Sequence, residues 1–73
     1  MELPTNLSGK ELSRALTRIG FVFRRQRGSH MIFRRVHPAA RVTIPDHAAL
    51  KPGTLRQILK DADVSVEEIG LLS

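Results

Sequence analysis

The spacing of apolar residues changes twice along this chain of 73 residues, and that change restricts the fold. Apolar side chains first recur with the period of an α-helix, then alternate with the two-residue period of β-strands over residues 21–44, and then return to the helical period. A chain of this length has room for one core. We therefore predict an α+β fold with the order α-β-β-β-α, in one domain over residues 1–73. Its core covers about residues 8–63, and residues 64–73 form a short helical tail.

The first helix is predicted over residues 9–19. Ser8 and Glu11 form the S-x-x-E pattern of a capping box, in which each side chain accepts a hydrogen bond from the backbone amide of the other residue. Gly20 then suits the left-handed residue that ends many helices. The apolar face of this helix consists of Leu12, Ala15, Leu16 and Ile19.

The second helix is predicted to begin near Pro52, because proline favours the first helical position. Thr54 and Gln57 form a T-x-x-Q pattern and predict a capping box slightly further on. Ser65 and Glu68 repeat the pattern and predict the short helix of the tail.

Three strands are predicted over residues 21–27, 30–36 and 41–44, with Gly28-Ser29 as the turn of a hairpin between the first two. The length of the hairpin loop decides which side chains share a face, because side chains alternate strictly along a strand. A two-residue loop places Arg27 opposite His30 and mixes phenylalanines with arginines on one face.

A three-residue loop pairs Gln26 with His30 instead and sorts the apolar residues onto one face, so we favour it. That face carries Phe21, Phe23, Met31, Phe33, Val42 and Ile44. The opposite face is then open and basic, and it carries Arg24, Gln26, His30, Ile32, Arg34, Arg41 and Thr43.

Positive charge is concentrated in the first part of the chain. Residues 10–41 hold nine Lys or Arg and one Glu, whereas residues 42–73 hold three Lys or Arg and five Asp or Glu. Arginine outnumbers lysine nine to three, which favours bidentate contacts with phosphates. The pattern is typical of nucleic-acid binding, and a solvated basic face without a ligand is the alternative.

Several functional classes are excluded or disfavoured by composition. The chain has no cysteine, which excludes disulfides, thiolate nucleophiles and cysteine-based zinc sites. The known catalytic and cofactor motifs for metalloproteases, serine hydrolases and nucleotide binding are missing as well. Small secreted domains usually need disulfides, and the N-terminus lacks the features of a signal peptide, so we expect a cytoplasmic protein. No apolar run is long enough to span a bilayer, so we expect no membrane contact. We also expect no metal and no small-molecule cofactor.

His30 is the best candidate for a catalytic residue. It follows Gly28-Ser29 directly and lies near Arg24, Arg27 and Arg34 in sequence or on the predicted open face. An imidazole can exchange protons near neutral pH, so it can act on a ribose hydroxyl or a leaving oxygen. Arginines can hold the scissile phosphate and stabilise the charge that develops on it. A surface histidine that only binds phosphate is the alternative.

The other two histidines are weaker candidates. His37 precedes Pro38 and is predicted to be a turn residue. His47 follows Asp46, whose carboxylate could orient the imidazole, but it lies in a loop.

Four segments together form a specific pattern: Gly20-Phe21, Arg25–Phe33 (RQRGSHMIF), Val42–Pro45 (VTIP) and Leu50–Lys60 (LKPGTLRQILK). In this order and spacing they resemble the HicA toxins of bacterial and archaeal toxin–antitoxin pairs, over about residues 8–63. The chain departs from the family's pattern at Ala39-Ala40, where many relatives have Asp-Gly, and at Asp63, where a glycine is common.

The resemblance implies a fold like that of double-stranded-RNA-binding domains and a ribosome-independent mRNA interferase. The essential histidine of the Gly-Ser-His element maps onto His30. The implied partners are an mRNA substrate and a HicB-type antitoxin that blocks the RNA-facing surface. With the basic face above, the expected RNA-binding residues are Arg24, Gln26, Arg27, Gly28, Ser29, Arg34 and Arg41.

Two other functions remain open on the sequence: a double-stranded-RNA-binding module without catalysis, and a domain that binds only an acidic protein partner. For the enzyme, we expect metal-independent cleavage in which the RNA 2′-hydroxyl attacks the adjacent phosphorus with help from His30. The second proton-transfer group is undetermined among His47, Ser29 and a water held by an arginine.

Overall fold

The computed structural model describes residues 7–72 of the chain, so residues 1–6 and 73 of the predicted domain lie outside the described part. The described chain has the predicted α+β order, and its three strands form one antiparallel sheet in the order β1-β2-β3. The elements are α1 (Gly9–Thr17), β1 (Val22–Arg27), β2 (His30–Arg35), β3 (Ala40–Pro45), α2 (Pro52–Ala62) and α3 (Val66–Leu72).

Helix α1 begins with the predicted capping box. The amide of Glu11 donates to the Ser8 hydroxyl at 3.0 Å, and the amide of Ser8 donates to the Glu11 carboxylate at 3.1 Å. Hydrogen bonding of the Glu11 carboxylate by the Ser8 amide, and then by the Ser8 side chain, lowers the pKa of Glu11 from its ordinary value. The helix ends at Thr17, two residues earlier than predicted, and Gly20 adopts a φ of 100° in the turn that follows.

The start of α1 is held against the end of β3. Gly9 donates its amide to the carbonyl of His47 at 2.9 Å, and a Cβ atom at this position would collide with the carbonyl oxygen of Pro45. A glycine is therefore required for this close approach.

The hairpin between β1 and β2 has a two-residue loop, so the predicted three-residue loop is wrong. Arg27 pairs with His30, and Gly28 has a φ of 58° at the first loop position, as a type II′ turn requires. The register shifts between Phe23 and Arg25, where Arg24 forms a β-bulge. The extra residue that sorts the apolar side chains thus lies inside β1 instead of in the loop.

One face of the sheet packs against the helices and forms the core. On this face Met31 pairs with Ile44 and Phe33 pairs with Val42. Phe21, which precedes β1, is also buried, whereas Phe23 is half exposed and packs edge-on against Phe33. The buried cluster consists of Leu7, Leu12, Ala15, Leu16, Phe21, Met31, Phe33, Val42, Ile44, Leu50, Leu55, Ile58, Leu59, Ala62, Val64 and Ile69.

Helix α2 begins two residues before the predicted capping box. Lys51 is its N-cap residue and makes no side-chain capping bond, and Pro52 is the first helical residue. The T-x-x-Q pattern of Thr54 and Gln57 therefore lies within the helix, and the prediction that it caps the helix is wrong.

A buried arginine connects α2 to the sheet. The guanidinium of Arg35 donates to the carbonyl of Ala62 at 3.1 Å and to that of Pro38 at 2.9 Å. It also lies 4.7 Å from the ring centre of Phe21. Arg35 thus joins the end of α2, the turn after β2 and the core, which explains why it is buried although most arginines are exposed.

Helix α3 packs on the same core. Its predicted capping box is present, since Ser65 and Glu68 exchange two hydrogen bonds of 3.1 Å, and both Val64 and Ile69 are buried. Between residues 7 and 72, no helix is long and apolar enough to cross a membrane.

Candidate nucleic-acid interface

The sheet face opposite the helices presents three rows of side chains, because residues paired directly across antiparallel strands point to the same face. The first row consists of Arg27, His30 and Pro45. The second consists of Arg25, Ile32 and Thr43, and the third of Val22, Arg34 and Arg41. We call this surface the open face.

An arginine groove crosses the open face. Ile32 lies in it and is only 8% exposed, although it is outside the core cluster on the helix side. Long arginine side chains can cover an apolar residue while their guanidinium groups stay in water. The described residues that line this groove include no carboxylate: they are Arg24, Arg25, Ile32, Arg34, Ala39, Ala40 and Arg41.

A second groove, the β3–α2 groove, lies between the last strand and the second helix. His30 and Pro45, which pair across the strands, are at one end, and Arg41 is at the other. The rise of about 3.3 Å per residue along β3 separates these ends by about 13 Å. The groove is lined by His30, Arg41, Thr43, Pro45, Gly53, Thr54, Gln57, Ile58 and Asp61.

The two grooves meet at Arg41, which lines both. An extended polyanion can therefore bind along the arginine groove up to Arg41, and from there the β3–α2 groove leads past the carboxylate of Asp61 to His30. A chain of phosphates is such an anion, and guanidinium groups bind phosphates through bidentate hydrogen bonds.

The hairpin turn is held from both sides, which fixes the position of His30. The amide of Asp46 donates to the Ser29 carbonyl at 2.6 Å. The Gln26 side-chain amide donates to the Gly28 carbonyl at 2.9 Å. The His30 side chain itself is exposed. The backbone next to His30 is thus held in place, and its imidazole is accessible to a ligand.

Most of the predicted site residues come together on this surface. Arg27, Arg34 and Arg41 share the open face with His30, Arg24 lines the arginine groove, and the Gly28-Ser29 turn lies beside them. The shorter hairpin loop brings Arg27 directly opposite His30.

The prediction that Gln26 lies on the open face is wrong. Gln26 pairs with Met31, so it points to the helix side of the sheet, and its amide bonds the turn. Arg25 takes its place on the open face, opposite Ile32. Strict alternation along β1 predicts Gln26 on the open face and Arg25 on the helix side. The bulge at Arg24 adds one residue, so the residues after it lie on the opposite faces from those predicted.

The other histidines lie outside both grooves. His37 is exposed in the turn between β2 and β3, and His47 is exposed in the loop after β3. Among the residues that the structure describes, no group of three His, Cys, Asp or Glu side chains is placed to hold a metal ion.

The sequence profile of one protein family, described as the HicA toxin of bacterial toxin–antitoxin systems, matches residues 9–64. The chain belongs to the HicA toxin family. The match begins at the first residue of α1 and ends just after α2, so it includes all three strands and the Gly-Ser-His element. A search of curated proteins finds no match to the chain. Family membership confirms the resemblance and assigns this HicA chain to the toxin side of a toxin–antitoxin system.

The two departures from the HicA pattern are accommodated by the fold. Asp63 adopts the left-handed conformation, with φ 57° and ψ 47°, where aspartate is among the few residues other than glycine that are tolerated. The amides of Asp63 and Val64 then close the end of α2 on Lys60 and Leu59. Ala39 lies in the turn and Ala40 begins β3, one residue earlier than predicted.

Proposed function

We propose that this HicA toxin is an endoribonuclease that cleaves mRNA without a metal ion and without the ribosome, with His30 as its catalytic general acid or base. One observation carries the proposal: His30 lies opposite Arg27 and at the end of a groove that continues through Arg41 into the arginine groove. Phosphate-binding groups and a proton-transfer group thus lie along one path.

The reaction is a transesterification. The 2′-hydroxyl of one nucleotide attacks the adjacent phosphorus, the bond to the 5′-oxygen of the next nucleotide breaks, and a 2′,3′-cyclic phosphate forms. His30 takes the proton from the hydroxyl or gives one to the leaving oxygen. Arg27 stabilises negative charge on the phosphorane, and its position as the cross-strand neighbour of His30 supports this role.

The second proton-transfer group is one of the three expected from the sequence. Ser29 directly precedes His30 in the fixed turn. His47 follows Asp46, whose amide bonds that turn. A water held by an arginine is the third candidate.

The remaining arginines bind the RNA backbone. Arg24, Arg25, Arg34 and Arg41 line the arginine groove, where they contact phosphates without reading the sequence. Gly28 and Ser29 allow the backbone of the turn to approach the RNA beside His30.

The partner of this toxin is a HicB-type antitoxin, and the open face is the surface that it covers. An antitoxin that presents carboxylates to the arginine groove would compete directly with RNA. Toxin, antitoxin and mRNA would meet in the cytoplasm.

The test is cleavage of a defined RNA by wild type, by His30→Ala and by His37→Ala, each with and without EDTA. His37 is a matched control, because it is also an exposed histidine but lies outside both grooves. We expect His30→Ala to lose cleavage by about a hundredfold or more, while His37→Ala and the EDTA samples cut normally. Circular dichroism establishes that all three proteins are folded.

The ends of the products test the mechanism separately. A 2′,3′-cyclic phosphate or 3′-phosphate together with a 5′-hydroxyl supports the transesterification. A 5′-phosphate with a 3′-hydroxyl would exclude it. If wild type and His30→Ala bind RNA equally well and neither cuts, the chain is an RNA-binding module.

A further inference from the structure

The β3–α2 groove contains a hydrogen-bonded pair that the proposed cleavage does not use. Gln57 and Asp61 are one turn apart on α2, and both line the groove. The side-chain nitrogen Nε2 of Gln57 donates to Oδ1 of Asp61 at 3.0 Å. Both side chains are exposed, so they are accessible to a ligand in the groove.

Asp61 lies away from His30, toward the other end of the groove. Helix α2 runs antiparallel to β3: its last residue, Ala62, is bonded by Arg35, and Arg35 pairs with Ala40 at the start of β3. Asp61 is therefore near the Arg41 end, about 13 Å along β3 from the Pro45 position that faces His30. Proton transfer needs hydrogen-bond distance or one bridging water, so Asp61 is not the second acid or base.

The chemistry of the pair selects its ligand. An ionised carboxylate only accepts hydrogen bonds and repels phosphate. Because the nitrogen of Gln57 is directed at Asp61, its Oε1 atom also remains as an acceptor. A ligand for this site must therefore present hydrogen-bond donors. In RNA a ribose 2′-hydroxyl offers a single O–H, whereas two adjacent donors for two acceptors are found on the bases, which proteins read on their Watson–Crick edges.

Guanine is the base that fits an acceptor site best. Its Watson–Crick edge presents two adjacent donors, N1–H and the N2 amine, which match a carboxylate or a carboxylate and amide oxygen side by side. Adenine and cytosine present one amine beside a ring acceptor, and uracil presents one N–H between two carbonyl oxygens.

We propose that Gln57 and Asp61 bind a guanine base of the RNA strand, and thereby create a base preference at a fixed distance from the bond that His30 cleaves. The position relative to a cleaved bond rests on the proposed function. The recognition of guanine does not, because binding can be measured without cleavage.

The experiment measures binding of His30→Ala to fluorescein-labelled oligouridine that contains one guanine or, in its place, one inosine, which lacks the N2 amine. We expect guanine to bind about tenfold more tightly than inosine. Adding Asp61→Asn or Gln57→Ala should bring this ratio close to one. Asp61→Asn keeps an acceptor for Gln57, so the fold is preserved, and the ratio corrects for the general gain in RNA affinity when a negative charge is removed.

Asp63→Asn is the matched control. It makes the same chemical change two residues away, outside the groove, and asparagine tolerates the left-handed backbone of this position. The ratio of guanine to inosine affinity should stay near tenfold in this variant. Wild-type cleavage sites mapped in a random RNA pool should show guanine enriched at one offset, and Asp61→Asn should lose the enrichment while Asp63→Asn keeps it.

The outcomes separate the two proposals. Equal affinity for the guanine and inosine oligomers overturns the guanine site, even if the wild type cleaves RNA. A ratio that depends on Asp61 supports the guanine site, even if no RNA is cut and the nuclease proposal fails. If no oligomer binds in a salt-dependent manner, both proposals are overturned.

Discussion

Strands β1 and β3 are the two outer strands of the same sheet and have the same length, but they are buried to very different extents. In β3, Val42 and Ile44 are buried while their neighbours are exposed or half-buried, which is the alternation of a strand with one covered face. In β1 all six residues are exposed.

The helices explain the difference. Both α1 and α2 pack against β3, whereas β1 packs mainly on β2. On the helix side of β1, Phe23 extends beyond the helices and remains half exposed. The outer edge of β1 carries arginines, and such charged side chains discourage pairing with a further strand.

The comparison shows that the residues that stabilise the core and the residues that carry positive charge lie in different parts of one sheet. Core residues of β3 and the helices supply the apolar burial, and β1 is therefore free to carry Arg24, Arg25 and Arg27 on or beside the open face. Changes in the two strands should consequently be measured by different experiments, stability for β3 and RNA binding for β1.

The largest expected effect of a substitution comes from two phenylalanines that are two residues apart. Phe21 is 1% exposed and Phe23 is 50% exposed. Phe21→Ala should lower the free energy of unfolding by about 3–5 kcal/mol, and Phe23→Ala by no more than about 2 kcal/mol. Guanidinium denaturation measures both. Should Phe21→Ala fail to fold, Phe21→Leu should still be less stable than Phe23→Leu. Equal losses would show that β1 is packed as well as the core.

A buried and an exposed arginine make the second comparison. Arg35→Met leaves the carbonyls of Pro38 and Ala62 without their donor, so we expect a loss of about 2–3 kcal/mol. Arg25→Met, on exposed β1, should change stability by less than about 0.5 kcal/mol. The same denaturation experiment compares them, and similar losses would contradict the contrast between the exposed strand β1 and the covered part of the sheet.

The third comparison concerns two neighbouring residues of β1, Arg25 and Gln26. Strict alternation predicts position 26 on the open face, whereas the structure has Arg25 there. Arg25→Ala should reduce the slope of log affinity for RNA against log salt concentration by about one unit, because one phosphate contact is lost. Gln26→Arg should leave the slope unchanged, since position 26 faces the other side of the sheet, whereas a three-residue loop would put the new cation on the open face and raise the slope by about one unit. The reverse result would restore the three-residue loop and overturn the open face described above.

The features that sequence predicted correctly are local. The capping boxes of Ser8 with Glu11 and of Ser65 with Glu68 each involve residues three apart, and both are present. Thr54 fails as a cap because Pro52 starts the helix earlier. A pattern of three residues cannot show which of two overlapping start signals the chain uses.

The features that sequence missed depend on tertiary structure. For the apolar residues of β1 and β2 to share one face, the hairpin needs one extra residue. A longer loop and a bulge within β1 meet this need equally well. The structure uses a bulge at Arg24, so Gln26 and Arg25 exchange faces. Phe23 is apolar and on the expected face, but its exposure depends on how far the helices reach over the sheet. The β3–α2 groove, with Gln57 and Asp61, joins segments whose packing no local pattern reveals.

The last comparison removes the bulge itself and is expected to leave the fold of β1 intact. Deleting Arg24 leaves Phe23 opposite Phe33 and Arg25 opposite Ile32 as consecutive regular pairs, so no side chain needs to change face. We expect the variant to fold with a stability within about 1 kcal/mol of wild type. Its salt slope for RNA should fall by about one unit, for the loss of one arginine.

The matched deletion in β3 is Thr43, an exposed residue at the equivalent depth of the other outer strand. Its removal shifts one side of β3 by a residue and turns either Val42 or Ile44 away from the core. That variant should therefore unfold, as measured by circular dichroism, while the Arg24 deletion keeps its nuclear Overhauser contacts between β1 and β2. If both deletions unfold the protein, the register of β1 is as strongly constrained as that of β3. The exposed residues of β1 would then be a surface for a binding partner, and the view that β1 only carries charge would be wrong.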